Sequence, residues 1–141
     1  MAIALILAED NKIIREALLA AMEESVELEL LGSAETAADT LTLLAAHKQQ
    51  WQLAVLDLAL REGSGLTVLR ACKGRGSHQF AVVLSNYATA EIRKHCLELG
   101  ADAVFDKSTE LDSFLTFCRN LDAMNAHPLR AAAGAQRGKQ P

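Results

Sequence analysis

The chain has 141 residues, of which 50% are hydrophobic and 23% charged, a composition that suits one globular domain and excludes a disordered protein. Its longest apolar runs are too short to span a bilayer, and the first of them lacks the positive charges that precede the apolar core of a signal peptide, so we expect a cytoplasmic protein without a membrane partner. The first 125 residues carry 11 basic and 18 acidic side chains, which argues against nucleic acid as a partner because phosphate contacts require a basic patch.

An uninterrupted apolar run opens the chain at residues 3–7 and is typical of a buried strand. Glu9 and Asp10 follow directly, so this strand ends in two carboxylates. Asn11 is a favourable N-cap residue, and the apolar residues after it recur at helical spacing. A buried strand followed by an amphipathic helix is therefore predicted.

Residues 26–30 alternate between apolar and acidic side chains. In a strand this alternation places Val26, Leu28 and Leu30 on one face and the two glutamates on the other. One buried face and one acidic face are typical of a strand at the edge of a sheet. A second helix is predicted to begin near Thr36, whose side chain can cap it.

Three further apolar segments of strand length each end in polar residues and each precede a helical pattern. Residues 53–56 end at Asp57, residues 80–84 end at Ser85, and residues 103–105 end at Asp106 and Lys107. Five strands thus alternate with five helices. This alternation predicts a flavodoxin-like three-layer α/β fold with a parallel five-stranded sheet of order 2-1-3-4-5, because the acidic second strand belongs at an edge.

We expect one domain, at residues 1–124. Residues 125–141 contain little that could be buried and are predicted to form a disordered C-terminal tail. The cysteines, Cys72, Cys96 and Cys118, are far apart and lie in apolar helical patterns, which predicts core packing and neither disulfides nor a metal site.

In a doubly wound sheet the ligand site lies beyond the carboxyl ends of the strands. Five polar residues from four strands are expected to meet there: Glu9, Asp10, Asp57, Ser85 and Lys107. Taken alone, Asp57 would as readily begin a turn. Three carboxylates about 4 Å apart would repel by about 4 kcal/mol per pair at an effective dielectric constant of about 20, so positive charge must lie between them. Lys107 supplies one charge, and oxygen ligands favour Mg²⁺ as the cofactor.

These five residues, in this order and within a fivefold strand–helix pattern, resemble the receiver domain of two-component response regulators over residues 1–124. The resemblance implies that Asp57 accepts a phosphoryl group, that Lys107 pairs with this group and that Ser85 is the switch hydroxyl. It also implies a set of Mg²⁺ ligands, namely Glu9, Asp10, Asp57 and the backbone carbonyl of Ala59. The chemistry agrees, because a carboxylate can attack phosphorus and cations stabilise the transferring oxygens.

The resemblance implies a signalling protein and not an enzyme, one that catalyses only its own phosphorylation and dephosphorylation. The expected partner is a sensor histidine kinase or a histidine phosphotransfer protein of a bacterial two-component system. Because few residues follow the fifth helix, a stand-alone receiver is expected, which contacts an unknown downstream protein or acts as a phosphorelay or phosphate sink. An adaptor that uses the receiver fold without phosphorylation is the alternative. Binding of FMN is disfavoured because the loop after the first strand is acidic and has no glycine.

The switch region departs from the family's pattern. Val104 stands where members often carry an aromatic residue that moves together with the switch hydroxyl. Phe105 is aromatic, but the next residue along a strand points to the opposite face and cannot substitute. We therefore expect Tyr87, in the loop after Ser85, to be the ring that moves.

The loops around the acceptor depart from the pattern as well. Ser108 follows the lysine where proline is frequent, so a trans peptide bond is expected there. Arg61 likewise stands at a common proline position. Ala59 has no polar side chain that could orient a water molecule toward an acyl phosphate, which predicts slow self-dephosphorylation.

Overall fold

The structure, a computed structural model, describes residues 2–126, in which five strands alternate with five helices. The strands are β1 (Ile3–Ala8), β2 (Leu28–Ala34), β3 (Leu53–Leu56), β4 (Phe80–Ser85) and β5 (Ala103–Asp106). The helices are α1 (Lys12–Ser25), α2 (Ala37–Ala46), α3 (Gly65–Ala71), α4 (Ala90–Glu98) and α5 (Leu111–Ala126), and α3 continues into a short 3₁₀ turn at Cys72–Gly74. All strand pairs are parallel, and the order β2-β1-β3-β4-β5 confirms the predicted flavodoxin-like fold.

The two faces of the sheet are covered by different helices, because successive strand residues point to opposite faces. One face packs against α1 and α5, through Leu5, Leu7, Val55, Leu18 and Phe114 among others. The other packs against α2, α3 and α4, through Ile6, Ala54, Val83, Leu44, Leu69 and Cys96 among others. The central strands are therefore apolar on both sides, and their polar residues lie only at their ends.

The edge position of β2 is confirmed, but its predicted limits and facing are wrong. The strand runs from Leu28 to Ala34, four residues past the predicted end. Its register against β1 shifts by one residue, because Leu5 pairs with Leu30 while Ile6 pairs with Gly32. This bulge breaks the alternation of faces after Leu30. Leu30 itself, which precedes the bulge, is 45% exposed instead of buried.

Side-chain caps fix where the helices begin. Asn11 accepts a hydrogen bond from the amide of Ile14, Ser64 from that of Leu66, and Thr89 from that of Ile92. Each cap satisfies an amide that the first turn leaves without a helical partner. These helix starts all follow carboxyl ends of strands, so the caps also shape the loops at that edge of the sheet.

The C-terminal helix α5 continues to Ala126, two residues past the predicted domain boundary. There Asn125 donates to Gln52 Oε1 at 2.8 Å, which ties the helix end to the start of β3. The rest of the predicted tail, residues 127–141, lies outside the described residues. Among residues 2–126, no helix has the length and apolarity that a bilayer span requires. All three cysteines are buried, which confirms the predicted core packing.

Candidate functional site

The carboxyl ends of the strands bring together the five residues that the sequence singled out. Glu9 follows β1 and Asp57 follows β3, and these strands are paired up to Ala8 and Leu56. Ser85 ends β4 and pairs with Asp106 of β5. The amide of Lys107 then donates to the carbonyl of Ser85 at 2.9 Å. The pairing of neighbouring strands therefore fixes where each of these side chains leaves the backbone.

Three carboxylates form an acidic cluster at this edge. Glu9, Asp10 and Asp57 each offer one oxygen, and these oxygens all lie within 4.8 Å of one another. Glu9 is 2% exposed and Asp57 is 7% exposed. Burial, followed by smaller effects that include the neighbouring charge of Asp57, raises the pKa of Glu9. Such a cluster requires a compensating cation.

The ammonium group of Lys107 supplies part of this compensation. Its Nζ donates to Asp57 Oδ2 at 2.8 Å and also contacts Glu9 Oε1. Burial alone would lower the pKa of Lys107, but hydrogen bonds and charge attraction from Asp57 and Glu9 outweigh it and raise that pKa. The lysine is therefore charged and bridges two of the three acids.

Backbone amides hold the remaining oxygens of the two bridged acids. The amide of Ala59 donates to Asp57 Oδ1 at 3.2 Å, and that of Asn11 donates to Glu9 Oε2 at 3.1 Å. The first residue of α3 also approaches closely, because a Cβ at Gly65 would lie 2.2 Å from the carbonyl oxygen of Asp57. Only glycine allows this approach of α3 to the strand that carries Asp57.

The donor set fits Mg²⁺. Three carboxylates and one ammonium leave two negative charges at the cluster, which one divalent cation would neutralise. All the side-chain ligands offer oxygen, and hard cations such as Mg²⁺ prefer oxygen. Glu9, Asp10 and Asp57 could hold the ion, and Ala59 lies beside them in the loop after β3.

The predicted switch residues lie on β4, in the loop that follows it, and on β5. Ser85 is buried, and its Oγ accepts from the amide of Tyr87 at 3.3 Å. The ring of Tyr87 is 78% exposed. Val104 is buried on the α4 side of the sheet, whereas Phe105 packs on the α5 side. The described residues contain no cis peptide bond, so Lys107 and Ser108 are joined in trans as predicted.

Two groups of charged residues beside the site were not predicted from the sequence. Arg15 and Arg61 flank Glu35, which lies directly after β2. The other group joins the loops after β4 and β5, because Arg93 of α4 donates to the carbonyl of Ala88 and to Glu110. Glu35 was missed because the sequence placed the end of β2 at Leu30, and a strand end at Ala34 is the signal that would have revealed it.

The fold and the acidic cluster together define a class of protein, a doubly wound α/β domain with a cluster of carboxylates at the carboxyl edge of its parallel sheet. The sequence matches the profile of the response regulator receiver domain over residues 5–119. The chain therefore belongs to the response regulator receiver domain family. No curated protein matches it closely.

Solved structures with the same fold come from several organisms. A DNA-binding response regulator of the LuxR family from Staphylococcus aureus has a TM-score of 0.74 and 17% identity, covering 85% of this chain and 98% of that one. A CheX–CheY–BeF3–Mg²⁺ complex from Borrelia burgdorferi has a TM-score of 0.71 and 15% identity, and the match covers 88% of each chain. A CheY-like receiver domain protein from Methanospirillum hungatei has a TM-score of 0.68 and 24% identity. This match covers 89% of this chain and 98% of that one. At these identities the likeness concerns the fold.

Proposed function

We propose that this receiver domain accepts a phosphoryl group on Asp57 from a phosphohistidine and signals through a change in its protein contacts. The observation that supports this most directly is the bridge that Lys107 makes between Asp57 and Glu9 inside the acidic cluster. A buried carboxylate held by an amide and an ammonium group is oriented for attack, and the same ammonium can serve the incoming phosphoryl oxygens.

In the proposed transfer a carboxylate oxygen of Asp57 attacks the phosphorus of a phosphohistidine. A new O–P bond forms and the P–N bond breaks. The electron pair of the broken P–N bond remains on the imidazole nitrogen of the donor, and this nitrogen is then protonated. Lys107 already lies 2.8 Å from Asp57 and so needs only a short movement to donate to a phosphoryl oxygen. The residues mainly supply position and charge, which is what phosphoryl transfer requires.

The proposed cofactor is Mg²⁺, held by Glu9, Asp10, Asp57 and the carbonyl of Ala59. When bound, it supplies positive charge to the transferring oxygens. The charge of the cluster supports this assignment, because Lys107 leaves two negative charges uncompensated. Burial of Glu9 and Asp57 strengthens the need for a cation, since unpaired charges are costly in a low-dielectric site.

The proposed phosphodonor is a sensor histidine kinase or a histidine phosphotransfer protein, and the recipient of the signal is a second protein. Membership of the receiver family supports both partners. The Borrelia complex, in which CheY occurs with CheX, BeF3 and Mg²⁺, supports protein contact as the output and Mg²⁺ as the cofactor. We propose Ser85 as the hydroxyl that turns toward the phosphoryl group, carrying the Tyr87 loop with it through their hydrogen bond.

The alternative is an adaptor that binds partners through the same fold without phosphorylation. Incubation with Mg²⁺ and acetyl phosphate, followed by intact-mass measurement, distinguishes the two. We expect a mass gain of one phosphoryl group that is lost in Asp57→Asn and on addition of EDTA. Asp39→Asn, which changes an exposed acid of α2 in the same way, is the matched control and should retain the gain. No mass gain, or a gain that survives Asp57→Asn, would favour the adaptor.

A further inference from the structure

Arg15 of α1 contacts the loop that carries two of the three acids. Its Nη1 donates to the backbone carbonyl of Glu9 at 2.9 Å and to Glu35 Oε2 at 3.3 Å, and its side chain is only 17% exposed. The carbonyl belongs to the peptide unit that joins Glu9 to Asp10. Because a peptide unit is planar, a fixed oxygen also fixes the amide of Asp10 and the point from which its side chain leaves the backbone.

Asp10 depends on this anchor more than the other two acids do. Glu9 is held by Lys107 and the amide of Asn11, and Asp57 is held by Lys107 and the amide of Ala59. Within residues 2–126, the carboxylate of Asp10 makes no hydrogen bond or ion pair. Its direction is therefore determined by its backbone, which Arg15 holds.

Glu35 connects Arg15 to the loop that follows Asp57. Its Oε1 lies 3.7 Å from Arg61 Nε, and its carbonyl accepts from the amide of Arg61 at 3.0 Å. In a second backbone hydrogen bond, the amide of Ala37 donates to the carbonyl of Glu62 at 2.9 Å. The Arg61 side chain is 60% exposed, so its ion pair with Glu35 contributes little to stability. The two backbone hydrogen bonds hold this loop in place. The loops after β1, β2 and β3 thus form one hydrogen-bonded network.

We propose that Arg15 is a positioning residue of the Mg²⁺ site, which acts by holding the Glu9–Asp10 peptide unit so that Asp10 points into the acidic cluster. This inference rests on the proposed function, because it assumes that Mg²⁺ binds at this cluster. Residues that orient metal ligands from outside the coordination sphere commonly affect metal affinity by about 10- to 100-fold when they are changed.

The direction in which Mg²⁺ affinity changes when Arg15 is replaced distinguishes a positioning role from a simple effect of charge. Removal of a positive charge beside an acidic cluster strengthens attraction for a cation, so charge alone predicts tighter Mg²⁺ binding without Arg15. Positioning predicts weaker binding. Lys12 provides a matched control, because it lies on the same helix, is also cationic and is 75% exposed in a surface pair with Glu16.

The test is a titration with MgCl₂ alone, followed through the amide NMR signal of Ala59, which donates to Asp57. We expect Arg15→Gln to weaken Mg²⁺ binding about tenfold. Arg15→Lys, which keeps a donor and the charge, should restore most of the affinity. Lys12→Gln should bind Mg²⁺ as well as the unchanged protein or slightly better. Arg15→Met, which retains the aliphatic part of the side chain, replaces Arg15→Gln if the latter does not fold.

The outcomes distinguish failure of the positioning role from failure of the metal site. Equal or tighter binding in Arg15→Gln and Arg15→Met, with normal binding in the unchanged protein, would overturn the positioning role and leave the phosphoacceptor proposal intact. Weakening by Lys12→Gln to the same extent would also overturn it. No Mg²⁺ binding in the unchanged protein would overturn the metal site and the positioning role together.

Discussion

Val104 and Phe105 are consecutive residues of β5 whose side chains enter opposite layers of the molecule. Val104 packs beside α4, whereas the ring centroid of Phe105 lies 5.8 Å from that of Phe114 and 6.1 Å from that of Phe117, both in α5. The edge-to-face contacts hold the Phe105 ring in the α5 layer. Under the proposed function, a ring that moves with Ser85 would therefore come from elsewhere, and the exposed Tyr87 is two residues from Ser85.

We predict that Tyr87→Ala reduces the response of α4 to phosphorylation while phosphorylation itself persists. The amide of Tyr87 bonds to Ser85 Oγ, so the loop can follow the hydroxyl, but the ring is needed to carry the change to neighbouring side chains. The measurement is the change in the amide NMR shifts of α4 on addition of acetyl phosphate and Mg²⁺. Leu30→Ala, a change at an exposed residue of β2, is the control. Wild-type shift changes in Tyr87→Ala would exclude Tyr87 as the coupling residue.

We predict that Ala59→Asn shortens the lifetime of the phosphorylated state about tenfold, because an amide at this position can orient the attacking water molecule. The loss of the added phosphoryl mass over time, after removal of acetyl phosphate, measures this rate. Ala59→Leu, a side chain of similar size without hydrogen-bonding groups, should not accelerate the loss. A phosphorylated state that decays faster in the unchanged protein than in Ala59→Asn would contradict the assignment.

We predict that Asp102→Asn destabilises the fold by about 3–5 kcal/mol, because it leaves a buried guanidinium without its counter-charge. Arg75 Nη2 lies 2.8 Å from Asp102 Oδ2, and both side chains are at most 10% exposed. Burial lowers the pKa of Arg75, as expected for a cationic group removed from water. Urea unfolding measures the loss. Glu16→Gln, in the exposed pair with Lys12, should cost less than about 1 kcal/mol. A loss below about 1 kcal/mol for Asp102→Asn as well would show that the Arg75 pair is not important for stability.

We predict that the fold loses stability as the pH rises from about 8.5 toward 11, partly through its buried thiols. Burial raises the pKa of Cys72 to about 11 and that of Cys118 to about 12. A thiol of an unfolded chain ionises near pH 8.5, so above that pH the native state retains protons that the unfolded state has lost. Each thiol then contributes a loss of up to about 1.4 kcal/mol per pH unit.

The measurement is the free energy of unfolding in urea at a series of pH values. Cys118→Ala should be less stable throughout because of the cavity it creates, yet its stability should fall less steeply above pH about 8.5. An identical slope in Cys118→Ala and the unchanged protein would show that this thiol does not titrate differently in the two states. The native thiols should also react slowly with alkylating reagents, because the thiolate is the reactive form.

The strand order and the positions of the main candidate site residues were predictable because both depend on simple patterns. Residues at the carboxyl ends of apolar strands must lie at one edge of a parallel sheet. Ser85 is the last residue of its strand, and Glu9, Asp57 and Lys107 each follow directly after one. The sequence did not reveal the bulge in β2, since one extra residue shifts the facing of every residue after it and leaves no mark in composition.

The wrong prediction for the end of β2 also concealed a residue at the carboxyl edge of the sheet. With the strand end placed at Leu30, Glu35 fell outside the set of residues at the carboxyl edge. Arg15 was missed for a different reason, because a helical arginine on a partly polar face looks the same in sequence whether it points to solvent or to a backbone carbonyl. Contacts between a side chain and a distant backbone atom depend on the angle between helix and sheet, which no local pattern encodes.

The close approach of Gly65 to the Asp57 carbonyl restricts the composition of α3. Gly65 is the first residue of α3, and glycine has a lower helix propensity than alanine, so α3 begins with a weak helix former. An alanine would improve the intrinsic helix propensity but would displace the backbone of the residue that we propose as the phosphoacceptor. The first turn of α3 is thus expected to resist stabilising substitutions, and engineering of this domain should leave position 65 unchanged.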